Sequence, residues 1–206
     1  MTTFNLESWL DSAGSPADIE QAGAAVLRGQ ASDVDPAWLG GAAWTTLIER
    51  MVETMRRAPG VGLAAPQIGI PWRLFVAEDR EEYFAALSPE ERESRGRVPL
   101  PLIVVVNPVL KLRGSEVTFY EGCLSVRGYG ALVPRANEVE LSGLDGSGNT
   151  RRSLSLTLEG WPARIAQHEV DHLDGTLYID RMVPRSLAST EHLPGHRGNA
   201  PRERST

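Results

Sequence analysis

The sequence contains a single cysteine, Cys123, in 206 residues. One thiol cannot close an internal disulfide, so the chain reads as a protein of a reducing compartment, with the cytoplasm as the expectation. Long apolar runs are missing too. The longest is Leu102 to Val106, against the roughly 20 residues that a membrane helix needs. Met1 to Asp11 holds no basic residue, and no arginine precedes Arg28. Neither a secretory signal nor an Arg-rich transit peptide is therefore expected. Positive charge is in deficit, since 21 Lys and Arg against 27 Asp and Glu give a net charge of −6. That balance gives no support for broad nucleic-acid binding. The remaining composition is ordinary, with 41% hydrophobic and 23% charged residues. It suffices for one core without disulfide staples, and no internal repeat is visible.

Periodicity places the elements. Leu47, Ile48, Met51, Val52 and Met55 share one face of a helix over 44–57, stopped by Pro59 and Gly60. Arg73 to Ala77 reads as a strand, and Glu78 to Arg97 as a solvated, partly helical insertion. Ile103 to Val106, ended by Asn107-Pro108, and Glu116 to Tyr120 are strand-like. Glu138 to Leu141 and Ser153 to Leu158 flank the turn-rich Asp145 to Asn149, a hairpin pattern. Trp161 to His172 is the second helix, with Pro162 tolerated in its first turn. Residues 184–206, rich in Pro, Gly, Arg and Ser, read as a flexible tail after a single domain over 1–183. Strands grouped between helices imply α+β, with antiparallel or mixed sheets around the second helix and a helical N-terminal segment.

The second helix carries His168-Glu169-Val170-Asp171-His172. Positions four apart lie on one helical face, so both imidazoles can reach one metal ion. Glu169, beside the first ligand, can reach a water at that ion. His192 and His196 share the spacing, but Pro194 and Gly195 between them oppose a helix. A catalytic tetrahedral site needs a third protein ligand. Asp174, Asp180 and Glu191 are the downstream candidates, as a zinc endopeptidase would use. Upstream stands Cys123, within Glu121-Gly122-Cys123-Leu124-Ser125, whose thiolate suits zinc or ferrous iron and which otherwise reads as an inert buried thiol.

Gly60-Val61-Gly62-Leu63-Ala64-Ala65-Pro66-Gln67 has the outline of a dinucleotide fingerprint. Its context fails: a helix precedes it, Pro66 interrupts the helix that should follow, and no βαβ unit surrounds it. The glycines suit close approach of a backbone to a ligand, and Gln67 offers a neutral amide donor. A plain tight loop is the competing reading.

Together the three segments, Gly60 to Gln67, Glu121 to Ser125 and His168 to His172, resemble the peptide deformylase family, in that family's order of motifs. The similarity spans about 43–183. The resemblance implies that Cys123, His168 and His172 hold one metal ion per chain. That ion is expected to be Fe2+, with Zn2+, Ni2+ or Co2+ as substitutes. It implies Glu169 as general acid and base, and Gln67 with the Leu124 backbone N–H as the oxyanion hole. Gly60, Val61 and Gly62 would bind substrate, Gly62 through its backbone. The implied activity is removal of the formyl group from the initiator methionine of new polypeptides, releasing formate. The implied partners are N-formylmethionyl peptides and the ribosome near its exit tunnel, with no DNA and no membrane. The sequence departs from the commonest motif at Gly130, where an arginine is expected, and at Arg127 and Tyr129 nearby. A zinc endopeptidase and a non-catalytic metal-bound module are the alternatives.

Overall fold

Two apolar helices lie on opposite sides of a short strand, and the strand's twofold alternation decides which side chain meets which helix. The computed structural model describes residues 4–148 and 152–193. Helix α1 (Leu6–Ser12) is capped by Asn5, whose side chain accepts from the Ser8 N–H at 3.0 Å. Helix α2 (Ala42–Arg57) buries Trp44, Leu47, Met51, Val52 and Met55. Strands β1 (Gly62–Ala64) and β2 (Leu74–Asp79) follow, then helix α3 (Pro89–Ser94). Long strands β3 (Leu100–Cys123) and β4 (Val126–Asp145) form an antiparallel hairpin, and β5 (Ser153–Glu159) pairs with β4. Helix α4 (Gly160–Leu173), the single turn α5 (Tyr178–Arg181) and strand β6 (Ala188–Ser189) complete the described chain.

The sheet order is β1-β2-β3-β4-β5, antiparallel throughout, with β6 added to β4. In β2, Leu74 and Val76 pack into the α2 cluster, while Phe75 and Ala77 pack with Ala163, Ile165, Ala166 and Val170 of α4. This is the period-two geometry of a strand buried on both faces. Helix α4 therefore lies inside the molecule with nearly every residue covered. The architecture is α+β, as the grouping of elements implies.

The structure differs from the sequence reading in four places. Asn107-Pro108 does not end a strand. It forms a bulge within β3, where the register shifts between Val106 and Val109. Asn107 takes a φ of 50° and its amide bonds to both the N–H and the carbonyl of Val34, at 2.8 and 2.9 Å. Strand β4 begins at Val126, far before Glu138, since pairing with β3 overrides Gly128, Gly130 and Pro134. The insertion over 78–97 is partly helical, as expected, but it is anchored. Phe84 is buried and Arg97 makes a bidentate pair with Asp79, at 2.8 and 3.0 Å. Finally, residues 184–193 do not leave the fold as a tail. Val183 donates to the Leu132 carbonyl (2.8 Å), the Ser186 hydroxyl accepts from Leu132 N–H (3.0 Å), and β6 pairs with β4. The rest of the expected tail, 194–206, and Asn149 of the hairpin turn lie outside the described residues.

The N-terminal segment is only partly helical. After α1 it runs mostly extended past the end of the β3–β4 hairpin. Glu20 N–H donates to the Gln67 carbonyl and Ala22 N–H to the Ser125 carbonyl, both at 2.8 Å. The Gln21 amide donates to the Leu124 carbonyl at 3.1 Å. This strip ties together two segments that are nearly 60 residues apart.

Candidate metal centre

Helix α4 presents His168 and His172 on one face, and the end of β3 brings Cys123 against them. The ligand atoms of the three residues lie within 4.8 Å of one another. Cys123 Sγ and His172 Nε2 are 3.3 Å apart. His168 Nδ1 faces Glu121 Oε2 at 3.0 Å, so the ring is oriented through one nitrogen and its Nε2 is available to a cation. His172 is 1% exposed, and its Nδ1 has no partner among the described residues. A thiol and two imidazoles, turned together in a mostly dry setting, fit a borderline-soft divalent cation.

The acidic residues that an endopeptidase reading would use as third ligand are engaged elsewhere. Asp174 pairs with Arg73 at 2.7 Å. Asp180 accepts from Leu177 N–H at 2.8 Å and pairs with Arg28. Glu191 lies exposed on a single turn over 190–192. His192 is exposed too, with Nδ1 2.7 Å from the Ser189 hydroxyl, and His196 lies outside the described residues.

Glu169 is 3% exposed, and its Oε2 has no partner among the described residues. It points at β1. A Cβ built on Gly62 would stand 2.2 Å from Glu169 Oε1, so only glycine lets the carboxylate reach this position. Burial pushes the Glu169 carboxyl up to about 7, against the opposing charges of His168 and Arg135. His172 is held well below the ordinary histidine range by burial and by His168. Burial would also lower His168, but Cys123 and Glu121 beside it raise it well above that range.

Gln67 sits 1% exposed behind Cys123. Its Oε1 accepts from Ala64 N–H at 2.8 Å, which fixes the amide's orientation. Its Nε2 donates to Ser125 Oγ at 3.2 Å and faces Cys123 Sγ at 3.6 Å. Gly60, Val61, Gly62, Gln67 and Leu124 line the same cavity of about 360 Å³ as Cys123, His168 and Glu169. Trp161, Ile165 and Tyr120 add apolar wall. The anchored insertion braces that wall. Arg95 and Arg97 lie over the Trp161 ring at 5.3 and 5.2 Å, and the Trp161 backbone N–H donates to the Gly96 carbonyl at 3.2 Å.

Behind the histidines lies a charge network that the sequence reading does not single out. Arg135 holds Glu121 through two bonds of 2.9 Å and reaches Asp171 at 2.5 Å. Arg164 donates to Glu121 at 2.6 Å and to the carbonyls of Val133 and Val117 at 2.9 and 2.6 Å. Arg181 closes the chain with two 2.7 Å bonds to Asp171. Burial would raise the Glu121 carboxyl, but bonds from His168 and Arg135 hold it well below the ordinary carboxylate range. A signal for Arg164 was available: it stands four residues before His168, on the same helical face. Glu121 and Ser125 lie inside the quoted motif. For Arg135 and Asp171, only the fold brings the partners together.

The family model described as polypeptide deformylase matches residues 16–187. Peptide deformylase 1 of Streptomyces coelicolor is 49% identical over 181 residues, covering 85% of this chain and 78% of that protein. Peptide deformylase 1A, chloroplastic, of Solanum lycopersicum is 47% identical over 177 residues. That match covers 85% of this chain but 63% of the tomato protein, under two thirds of its length. A Met-Ala-Ser-bound crystal structure of a class I type b peptide deformylase from Acinetobacter baumannii superposes with a TM-score of 0.69. It is 31% identical, with 80% of this chain and 96% of that chain covered. With the matched model spanning most of its length, this chain belongs to the polypeptide deformylase family.

Proposed function

We propose that this protein is a metal-dependent hydrolase that removes the formyl group from an N-terminal formyl-methionine and releases formate. The observation that carries the reading is the convergence of Cys123, His168 and His172 beside a buried carboxylate, Glu169, with an unpartnered oxygen. Cys123, His168 and His172 would hold one cation, for which we propose Fe2+, with Zn2+, Ni2+ or Co2+ able to replace it. When bound, the cation supplies Lewis acidity, polarising the formyl carbonyl and activating water for attack.

The chain's own residues do the rest. Among the described residues, strand β1 is the first in the sheet order and pairs with β2 alone, so its other edge can receive an extended peptide as an added strand. Gly60, Val61 and Gly62 would bind that backbone, and the wall of Val61, Leu124, Trp161 and Ile165 would take the methionine side chain. Glu169 takes the proton of the attacking water. As the formyl carbon becomes tetrahedral, the Gln67 amide and the Leu124 backbone N–H face its oxygen. The bond from the formyl carbon to nitrogen then breaks, and Glu169 delivers its proton to the departing amine. The products are formate and a free amino terminus.

The Met-Ala-Ser ligand of the Acinetobacter structure is what such a reaction leaves behind, and it supports short methionyl peptides as the substrate class here. Nascent chains carry that terminus, so the ribosome near its exit tunnel is the partner we infer. A lone thiol that must stay reduced to bind a cation suits the cytoplasm. Among the described residues no helix is long and apolar enough to cross a membrane.

Formate release from formyl-Met-Ala-Ser by protein loaded with Fe2+ under anaerobic conditions tests the reading. Turnover that disappears in Glu169→Ala, with the metal content unchanged, is the expected result. An iron-replete protein without turnover, or a Glu169→Ala variant as active as the parent, would overturn it.

A further inference from the structure

Among the described residues, the cavity wall has one contributor from beyond α4, and it is Thr190. It arrives there because residues 183–193 fold back along β4. Tyr129 pairs with Ser189 and Gly130 with Ala188, and the bonds from Val183 and Ser186 to Leu132 fix the approach. A Ser189–His192 contact of 2.7 Å closes the turn that holds Thr190. Gly130 is the seat of this segment. A Cβ there would stand 2.8 Å from Leu193 Cδ1 and 2.9 Å from the Glu121 carbonyl oxygen. Position 130 is also where the commonest family motif places an arginine. In this chain the docked segment stands against that position, with Leu193 where a side chain would begin.

From this we propose that residues 188–193 form a specificity rim, in which Thr190 and Tyr129 read the peptide side chains that follow the formyl-methionine. The proposal rests on the deformylase reading and extends it to substrate selection. Tyr129 and Gly128 line the cavity beside Thr190, and Tyr129 is 49% exposed. The rim thus offers a hydroxyl, a phenol ring and open backbone. Gly128, Tyr129 and Thr190 carry no charge of their own, while an exposed acid, Glu191, follows Thr190 and an exposed base, Arg127, precedes Gly128. Such a surface selects apolar and aromatic side chains over acidic ones, because the groups that line it, Gly128, Tyr129 and Thr190, are neutral and a carboxylate pressed against them loses hydration without a charged partner in the wall.

Two measurements on the full-length, iron-loaded chain test this. The first is kcat and KM for formyl-Met peptides that differ only in the two residues after methionine, with Ala, Phe or Asp in turn. The second is calorimetric Kd for the deformylated peptides Met-Ala-Ser and Met-Asp-Ser, which needs no turnover. Thr190 is exposed, so Thr190→Arg does not disturb the core. It is expected to lower KM for Asp-containing peptides at least about fivefold relative to Ala-containing ones, and to shift the Kd ratio in the same sense. Leu193→Asp, which expels the segment from Gly130, is expected to flatten the preference for Phe. A purely structural segment would alter thermal stability or metal content and leave those ratios unmoved. Unchanged KM and Kd ratios in both variants overturn the rim. If no peptide yields formate yet the Kd ratio follows Thr190, the rim stands as a peptide-reading surface and the deformylase reading falls.

Discussion

The rear and the mouth of the cavity are built on opposite principles. At the rear, Glu121, Arg135, Arg164 and Asp171 are all buried, and each charge is matched by at least two bonds. At the mouth, Tyr129, in a two-residue strand pairing, and Thr190, just beyond it, are exposed and neutral. Buried charges are retained only where every partner is present, because an orphaned one loses its hydration with nothing in return. The rear is therefore rigid and intolerant, suited to holding a ring nitrogen in place. The mouth costs little to change, suited to differences in substrate.

The comparison can be broken from its hardest end. Cys123→Ala is expected to take the metal content from one ion per chain to near none and activity to the uncatalysed background; elemental analysis beside formate release checks both. Glu169→Gln removes the proposed proton carrier with almost no change of shape, so kcat should fall about 10³-fold with the metal retained. Arg135→Met leaves Glu121 with Arg164 and His168 but strips Asp171 of its buried partner. Denaturant unfolding should show a loss of about 3 kcal/mol, the low end for a broken buried pair. A retained midpoint would contradict the idea that the rear is intolerant.

Smaller effects sharpen the contrast. Glu78 is held below its ordinary value of 4.5 chiefly by its bond to Arg56, against burial, with Arg80 assisting. A carboxyl depressed in the folded state adds stability that is fully present above 4.5 and lost as pH falls through the lower folded value. The stability gap between the parent and Glu78→Gln should therefore be widest near neutral pH and shrink on acidification below 4.5, as read by unfolding at several pH values. Least of all, Arg113→Ala breaks a 3.1 Å pair with Glu140 in which both side chains are nearly half exposed. Its unfolding midpoint should match the parent's, since water screens such pairs.

Much of the site was legible because its residues are local in sequence. His168 and His172 need only a helix to share a face, and α4 has no breaker between Ala163 and Leu173. Gly62 could be read as a point of close approach, though not that the approaching atom belongs to Glu169. The strands were less legible. Asn107-Pro108 looks like a terminator until Val34, 73 residues away, supplies both bonds to the Asn107 amide. Strand β4 carries two glycines and a proline before Arg135, and only the partner strand makes it extended. The Pro, Gly and Ser content after Val183 suggests a tail, and it cannot reveal the empty seat at Gly130.

By itself the sequence determined the two helices, the pair of imidazoles four residues apart, the lone thiol and the family to which the motifs point. These follow from helical periodicity and residue chemistry, which act over a few positions. Tertiary structure alone decided that Cys123 rather than Asp174, Asp180 or Glu191 meets those imidazoles. It also decided that Glu121 is clamped by two arginines and that Thr190, late in the chain, lines the cavity. Those outcomes depend on strand pairing and on satisfying buried charge across tens of residues, where no local pattern carries the information.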